Sequence, residues 1–498
     1  MLLQIPVSLF ISVVSAGTFL LILVLITELL RSLSEVVSGG KLSLLGLIGG
    51  FIITVCIGTL IFLLNLSANA LALIGFGVLL LMLAMRMYIA FSMMLVGFLG
   101  MSLISGAPAG LYLMATVPYN TTAAYHLCVI PFFVLMGHLC AVAGISTDLY
   151  TTAYKWLGSL RGGLAMGTVG GCAGFAAVSG DSMGTAAVMG AAALPEMKRY
   201  NYSDSLATGC VAAGGTLGIL IPPSMGFIIY AIITDQSISK LFMAGIFPGL
   251  LLTFLFMVVI YIQGVIDPRI APPGPKTGIR EKLISLKGTW AMILIFVLVI
   301  GGIYWGIFTP TEAGAIGAAG ALVIGLAKRQ LSWRKLIAAI LDTGRTVSML
   351  FLLLIGAHML GAFLAGSEAP NQVSTYISQL ALTPYFFLTA ILVLYLLLGC
   401  VMNILPAVIV TLPIFFPTII DLGFDPIWFG VIIVIVMEMG LITPPVGMNV
   451  FVIKGVAKDV SINTIYRGIL PFLIAMVGSV LVLTAFPSIV LYLPSVMK

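Results

Sequence analysis

Charged side chains are scarce in this sequence. Asp, Glu, Lys and Arg make up 8% of its 498 residues, whereas 61% of the residues are hydrophobic. Soluble domains carry about 25% charged residues, so this chain has too few to cover a globule in water. Its apolar runs are continuous and long enough to cross a bilayer as helices, whose backbone polar groups are paired internally. The sequence therefore predicts an all-α, polytopic membrane protein.

The sequence also lacks motifs of enzyme chemistry. Its three histidines lie far apart, and it has no phosphate-binding loop and no dinucleotide fingerprint. None of its six cysteines stands at the spacing of a metal or redox motif: Cys56, Cys128, Cys140, Cys172, Cys210 and Cys400. We therefore expect neither an enzyme nor a resident cofactor, and no nucleic-acid partner.

Twelve apolar runs are long enough to span a membrane. They lie near 7–29, 44–65, 70–86, 88–106, 129–147, 205–233, 242–264, 290–307, 312–327, 340–365, 427–453 and 466–490. Two further stretches, 162–196 and 382–418, are predicted to be re-entrant helical hairpins. If the N-terminus is outside, this topology places all of the 22 Lys and Arg residues inside, except Lys240 and Lys498. Such a bias is typical of inner-membrane proteins, and it places both termini outside.

Each predicted hairpin has a polar centre and is followed by a double proline. The first hairpin contains SGDSMGT (179–185) and precedes LIPPS (220–224); the second contains GCVMNILP (399–406) and precedes ITPPVGMN (442–449). A proline pair removes two backbone N–H groups and breaks a helix, which membranes tolerate only beside a cavity or inside protein. One hairpin enters from inside and the other from outside, as in inverted-repeat secondary transporters.

This pattern divides the chain into four predicted segments. Residues 1–69 form two N-terminal helices, and 70–264 form a first repeat that contains the 162–196 hairpin. Residues 265–289 form a Pro-rich, basic cytoplasmic loop, and 290–498 form a second repeat that contains the 382–418 hairpin.

Broken helices supply the chemistry of binding. One half offers free carbonyl groups, which suit a hard cation such as Na⁺, and the other offers free amides, which suit a carboxylate. Two repeats predict two cation sites that flank one anion site. Glycines in membrane helices are usually packing contacts, but two polar clusters in corresponding positions, each followed by Pro–Pro, favour binding sites.

Seven motifs in this order resemble the large membrane subunit of the tripartite ATP-independent periplasmic (TRAP) transporters, over roughly residues 70–498. They are IPFFVLMG (130–137), AAVSGDSMGTAAVMG (176–190), LGILIPPS (217–224), MAGIFPGLL (243–251), GIFTPTEAGAIGA (306–318), LGCVMNILPAVIVTLPIFFP (398–417) and GLITPPVGMNVFV (440–452). The resemblance implies an elevator-type, Na⁺-driven symporter of small organic anions in the bacterial inner membrane. It also implies two partners, a periplasmic substrate-binding protein and a small membrane subunit. In such a membrane, the outside location of both termini that the charge bias indicates is the periplasm.

The resemblance also implies the site residues. The expected cation-binding residues are Ser179, Gly180, Asp181, Ser182, Thr185, Gly215, Thr216, Gly218, Gly399, Met402, Asn403, Gly440, Thr443 and Met448. The expected substrate-binding residues are Ser182, Pro222, Pro223, Ser224, Asn403, Pro444, Pro445 and Asn449.

Two residues depart from the family pattern. Asp181 stands where the family commonly has a small or hydroxyl residue, and Asn403 stands where it commonly has a carboxylate. We hypothesise that a carboxylate has moved from one hairpin tip to the other, which leaves the Na⁺ stoichiometry open and leaves room for a proton. Glu312 is expected to cap a helix, and Glu438, just before the second break, fits a structural or a functional role equally well.

The N-terminal segment resembles the last helix of the family's small subunit followed by a connecting helix. The chain is therefore either a fusion that lacks the first helices of its small subunit or a large subunit with two added anchoring helices.

Two other functions compete with the tripartite transporter. A divalent-anion/Na⁺ symporter without a binding protein shares the hairpin plan, while a passive channel conflicts with moving hairpins. Dicarboxylates, keto acids and sugar acids all fit an anion site built from helix amides.

Overall fold

The computed structural model describes residues 67–85, 87–274, 277–369 and 383–497, together with 372 and 375. Within these residues the regular structure is helical, and no strand occurs in them. Eight of the helices are long and apolar enough to cross a membrane, or nine if the bent pair Asp204–Leu220 and Met225–Thr234 forms one span. The prediction of an all-α, polytopic membrane protein is confirmed. Two of the predicted spans, 7–29 and 44–65, lie outside the described residues.

The described helices are numbered here in chain order. They are α1 (Ala68–Ala84), α2 (Ile89–Ser105), α3 (Ala107–Ala123), α4 (Val129–Val142), α5 (Ile145–Leu157), α6 (Gly163–Ser179), α7 (Ser182–Arg199), α8 (Asp204–Leu220), α9 (Met225–Thr234), α10 (Ile238–Ile266), α11 (Ile279–Tyr304, with a π-helical turn at Val297–Gly301), α12 (Pro310–Ala327), α13 (Trp333–Gly366), α14 (Pro384–Val401), α15 (Ile404–Asp421), α16 (Pro426–Leu441), α17 (Met448–Val456), α18 (Ile462–Ala485) and α19 (Ser488–Val496).

The helices fall into two compact units. Among the described residues, the first unit contains 67–128, 341–369 and 409–418. Its core is built around the fully buried ring of Phe363, which packs against Gly75 and Gly100, where a Cβ atom would collide with the ring. The Thr121 hydroxyl lies 3.0 Å from Nδ1 of His358. Glycines thus allow α1, α2 and α13 to approach closely within this unit.

The second unit contains 129–340, 383–408 and 419–497. Two series of helices in the chain have the same order and similar lengths. In the first, α6 and α7 form a helical pair, α8 and α9 form a broken helix, and α10 follows. In the second, α15 follows α14 after a short turn, α16 and α17 form the broken helix, and α18 follows. Residues Ile409–Thr418 of α15 belong to the first unit. The stretches predicted as hairpins are therefore each two helices joined by a short turn, and both double prolines lie in helix breaks.

Three stretches differ from the sequence-based expectation. The predicted loop at 265–289 is wrong over its second half, because α11 already begins at Ile279. Residues 107–123 and 145–157 form α3 and α5, which were not predicted as spans. The first contains Pro118 and polar residues, and the second buries only one face. Neither pattern resembles a continuous apolar span.

Candidate functional site

The tip of the first hairpin is a turn stabilised by its own polar side chains. Gly180 has a φ of 66°, in the left-handed region that favours glycine. The Asp181 side chain caps α7, since its Oδ2 accepts a hydrogen bond from the Gly184 N–H at 2.5 Å. The Thr185 hydroxyl donates to the Asp181 carbonyl at 2.7 Å and lies 2.8 Å from the Ser179 hydroxyl. The unusual carboxylate at this tip therefore has a local role as a helix cap.

This tip docks on the first broken helix through backbone contacts. The Met225 N–H, at the start of α9, donates to the Gly180 carbonyl at 3.3 Å. A Cβ atom at Gly218 would collide with the Asp181 carbonyl, and one at Gly215 would lie 2.7 Å from the Cβ of Ala186. Because Gly215 and Gly218 lack side chains, α7 and α8 approach at the backbone.

The break itself lies inside the protein. Pro222, Pro223 and Ser224 are buried, and the Ser224 hydroxyl caps α9 by accepting from the Phe227 N–H at 3.3 Å. Thr216 is also buried, but its hydroxyl donates back to the Ala213 carbonyl of its own helix at 2.6 Å.

The second hairpin docks on the second broken helix in the same manner. The Gly447 N–H, which precedes α17, donates to the Cys400 carbonyl at 3.2 Å. Helices α14 and α16 cross at two glycines, since a Cβ atom at Gly440 would lie 2.6 Å from the Cα of Gly399. Both series therefore join a hairpin tip to the start of a short helix by one backbone hydrogen bond.

The second break is more accessible than the first. Pro444 and Pro445 are exposed, whereas the corresponding prolines of the first break are buried. The Thr443 hydroxyl donates to the Met439 carbonyl at 2.6 Å. The Tyr466 hydroxyl, on α18, donates a hydrogen bond to the Val446 carbonyl at 2.7 Å and so links the break to α18. Sequence reasoning missed this tyrosine, which lies in no motif.

One serine connects the first hairpin with the second broken helix. The Ser182 hydroxyl donates to Oε2 of Glu438 at 2.8 Å and accepts a hydrogen bond from Nδ2 of Asn449 at 2.8 Å. All three side chains are at most 1% exposed. Ser182 is the first residue of α7, Glu438 lies in the last turn of α16, and Asn449 lies in the first turn of α17. Three helix ends thus meet at one hydroxyl.

The structure brings most of the predicted site residues to these two breaks, but in different ways. Ser182 and Asn449 share a hydrogen bond, while Ser179, Asp181 and Thr185 form a separate network. Their neighbours Gly180, Gly215, Gly218, Gly399 and Gly440 contribute close backbone contacts. The remaining predicted residues make no side-chain hydrogen bond with the described part of the chain: Met402, Asn403 and Met448.

The two acidic residues Glu312 and Glu438 have different roles in the structure. Glu312 forms a capping box with Thr309, whose N–H donates to Oε2 of Glu312 at 2.9 Å, so the expected capping role is confirmed. Glu438 instead joins the polar cluster with Ser182. Its place just before the double proline was the only sequence signal for that role.

Comparisons with known proteins agree with this architecture. The profile of the family described as the tripartite ATP-independent periplasmic transporter, DctM component, matches residues 76–489. The C4-dicarboxylate TRAP transporter large permease protein DctM of Pseudomonas aeruginosa is 37% identical over 391 residues, which are 78% of this chain and 91% of the relative. The isethionate TRAP transporter permease protein DctMQ of Oleidesulfovibrio alaskensis is 33% identical over 76% of this chain, which spans 60% of that relative.

Two further similarities concern another relative and the fold. The sialic acid TRAP transporter large permease protein SiaM of Vibrio cholerae is 32% identical over 79% of this chain and 94% of the relative. The crystal structure of the Alcanivorax borkumensis YdaH transporter superposes with a TM-score of 0.59 at 15% identity, covering 76% of this chain and 90% of that one. At that identity the likeness concerns the fold alone. Because the family profile spans most of the sequence and the relatives are named as permeases, the chain belongs to the DctM component family of TRAP transporters, multi-pass inner-membrane transporters and not enzymes.

Proposed function

We propose that this chain is a Na⁺-coupled symporter that imports a small organic anion by an elevator mechanism. The single observation that carries the proposal is that each hairpin tip contacts a broken helix in the same way. These two contacts are called the first and second dock. In each, an N–H at the start of the short helix donates to a hairpin carbonyl, from Met225 to Gly180 and from Gly447 to Cys400. A paired break of this kind is how secondary transporters build ion and substrate sites near the membrane midplane.

The substrate anion is proposed to bind at the second break. Helix α17 begins without a side-chain cap, so the Met448 and Asn449 amides are proposed to bind the anion, and the helix N-terminus carries a positive partial charge. Pro444 and Pro445 are exposed there, which gives a solute access that the buried first break lacks. The Asn449 side chain, in the first turn of α17, is fully buried and donates to Ser182, so the backbone amides of the turn are proposed to bind the anion.

Na⁺ is proposed to bind at both docks, among the carbonyl and hydroxyl oxygens of the hairpin tips and broken helices. Oxygen ligands suit hard cations. In the first dock, the Thr185 hydroxyl lies within hydrogen-bond distance of the Ser179 hydroxyl and of the Asp181 carbonyl. Each Na⁺ that moves inward gains about 2.3 kcal/mol per 100 mV of membrane potential, so two ions offset the cost of importing a dianion.

The proposed substrate class is a carboxylate or a related anion. The relatives are named for C4-dicarboxylates, isethionate, 2,3-diketo-L-gulonate and sialic acid, which are all small organic anions. We further propose that a periplasmic binding protein delivers the substrate and that a small membrane subunit assembles with this chain, as the tripartite family description implies. Both termini are proposed to face the periplasm, with 70–264 and 290–498 as inverted repeats. The N-terminal residues 1–69 are proposed to derive from a small subunit.

The test is uptake by proteoliposomes that contain the purified chain and its small subunit. With the cognate binding protein and an inward Na⁺ gradient, radiolabelled substrate should accumulate, and it should not accumulate when the binding protein is omitted. Strong uptake without any binding protein would instead favour the alternative function, a divalent-anion/Na⁺ symporter. Substrate entry that does not saturate with concentration and shows no counterflow would indicate a channel and contradict the proposal.

A further inference from the structure

The Glu438 carboxyl group is buried and shielded from solvent. It is 1% exposed, and every residue of α16 from Ile427 to Leu441 is buried. Among the described residues, no Lys, Arg or His forms an ion pair with it. Its Oε2 receives one hydrogen bond, from Ser182, while its Oε1 has no partner among the described residues. Burying a charged group without a counter-charge is strongly unfavourable, so Glu438 must either be protonated or lie beside a cation.

A second unsatisfied oxygen belongs to the same cluster. Asn449 is fully buried, and its Nδ2 donates to Ser182, but its Oδ1 has no hydrogen-bond partner among the described residues. Two buried acceptors without donors therefore belong to the side chains that meet at one serine hydroxyl. Buried acceptors that no protein donor reaches are typically satisfied by water or an ion.

The surrounding helix ends favour a cation beside an ionised carboxylate. Glu438 lies in the last turn of α16, where the helix dipole is negative and attracts cations. The Ser182 hydroxyl donates a hydrogen bond to the carboxylate, and such a bond stabilises the ionised form. An ionised carboxylate, a hydroxyl and an amide oxygen are the ligand types that hard cations prefer.

In the part of the chain that the structure describes, the first helix series has no counterpart of this cluster. Thr216 stands six residues before the first proline of its pair, as Glu438 does in the second. The Thr216 hydroxyl is satisfied within its own helix by the Ala213 carbonyl. The cluster is therefore an addition to the two matching docks and not one member of a symmetric pair.

We propose that Glu438, Ser182 and Asn449 form a binding site for one Na⁺, in addition to the cation sites at the two docks. Binding requires a residue of the first hairpin and residues of the second broken helix at once, so the ion links the two series. This inference deepens the proposed function and rests on it for the role of the ion in transport. The binding step itself can be measured without transport.

The experiment measures the unfolding temperature of the purified, full-length chain in detergent, with Na⁺ titrated against choline at constant ionic strength. A ligand that binds only the folded state raises this temperature. Glu438→Gln removes the charge and keeps the shape and the Ser182 contact. It should raise the Na⁺ concentration of half-maximal stabilisation at least about tenfold. Glu312→Gln is the matched control, because glutamine also completes a capping box, and it should leave the titration unchanged.

Asn449→Leu provides a second variant in case the glutamine variant does not fold. It removes the amide oxygen at similar volume and should weaken the Na⁺ response in the same direction. An unchanged Na⁺ titration in both variants would overturn the proposal, as would a wild-type protein that responds to pH but not to Na⁺. Failure of the transport proposal is distinguishable, since Na⁺ would then stabilise the wild type while its proteoliposomes take up no anion.

Discussion

At the scale of single residues, Ser182 is the side chain on which the site depends most. Its hydroxyl is the one group that bonds both Glu438 and Asn449, at 2.8 Å each. Removing it leaves two further buried polar groups unsatisfied, at about 1–3 kcal/mol for each group. Ser182 and Asn449 were both predicted from the sequence as site residues, but their hydrogen bond and the link to Glu438 were not.

We expect Ser182→Ala to reduce Na⁺-dependent uptake at least tenfold and to lower the unfolding temperature by several degrees. The physical reason is the loss of the hydroxyl that holds three helix ends together. Uptake of labelled substrate and a thermal unfolding scan measure the two effects. Ser92→Ala is the matched control, since Ser92 is also fully buried and donates only to the Tyr88 carbonyl at 3.1 Å. Equal uptake by the two variants would contradict the assignment.

An ion pair outside the membrane-spanning segments makes the stability of the protein depend on pH. Lys198, at the end of α7, donates to Asp459, which lies between α17 and α18. The hydrogen bond with Asp459 raises the pKa of Lys198, and the hydrogen bond from Lys198 lowers the pKa of Asp459. The lowered pKa of Asp459 gives a contribution to stability that is present above its usual value of 3.8 and is lost as the pH falls below it.

We expect Asp459→Asn to unfold at a slightly lower temperature than the wild type at pH 7. The difference should shrink as the pH falls below 3.8, where the wild-type carboxylate becomes protonated. It should also shrink above pH 10.5, the usual pKa of lysine, as Lys198 loses its proton. Because both groups are exposed, high salt should reduce the difference at pH 7. A difference that is independent of both pH and salt would contradict this account of the pair.

At the scale of elements, the helix breaks are held by close backbone approach. Helices α14 and α16 cross where Gly399 meets Gly440, and α7 and α8 cross at Gly215 and Gly218. The sequence predicted both hairpins and both breaks because glycine and proline patterns act locally on the backbone. It did not predict the hydrogen bond from Tyr466 to the second break, because that bond joins residues about twenty positions apart.

We expect Gly440→Ala to separate α14 from α16 and to destabilise the protein by about 1–3 kcal/mol. Its Cβ atom would lie 2.6 Å from the backbone of Gly399, which cannot move aside as a flexible side chain could. Thermal unfolding and substrate uptake should both be impaired. Gly478→Ala on α18 is the control, because nothing lies within 4 Å of its Cβ position and alanine favours a helix. Similar behaviour of the two variants would count against close packing at the break.

At the scale of the whole molecule, the sequence predicted the fold class and the family but not every helix. Composition alone indicates a membrane protein, and the repeated order of polar centre and double proline indicates the two series. Helices α3 and α5 were not predicted, because neither has the continuous apolar pattern of a span. The link from Ser182 to Glu438 could not be predicted, because it joins residues 256 positions apart.

The proposed orientation makes a prediction about the termini. A C-terminal alkaline phosphatase fusion should be active, because positive residues are retained inside and the C-terminus is proposed to lie in the periplasm. A green fluorescent protein fusion at the same end should be dark. The same reporters inserted after Gly274, in the basic loop, should give the opposite pattern. A bright C-terminal fluorescent fusion would contradict the orientation.

The central claim is that cations bound at the hairpins and broken helices drive anion uptake. It is tested most directly by transport currents in proteoliposomes with the cognate binding protein, under imposed Na⁺ gradients and membrane potentials. With a monoanion, or with a dianion and the third Na⁺ of the Glu438 site, net positive charge moves inward. For these cases the account predicts an inward positive current and substrate accumulation that both require Na⁺ and grow as the interior becomes negative. Undiminished accumulation with choline in place of Na⁺ would contradict it.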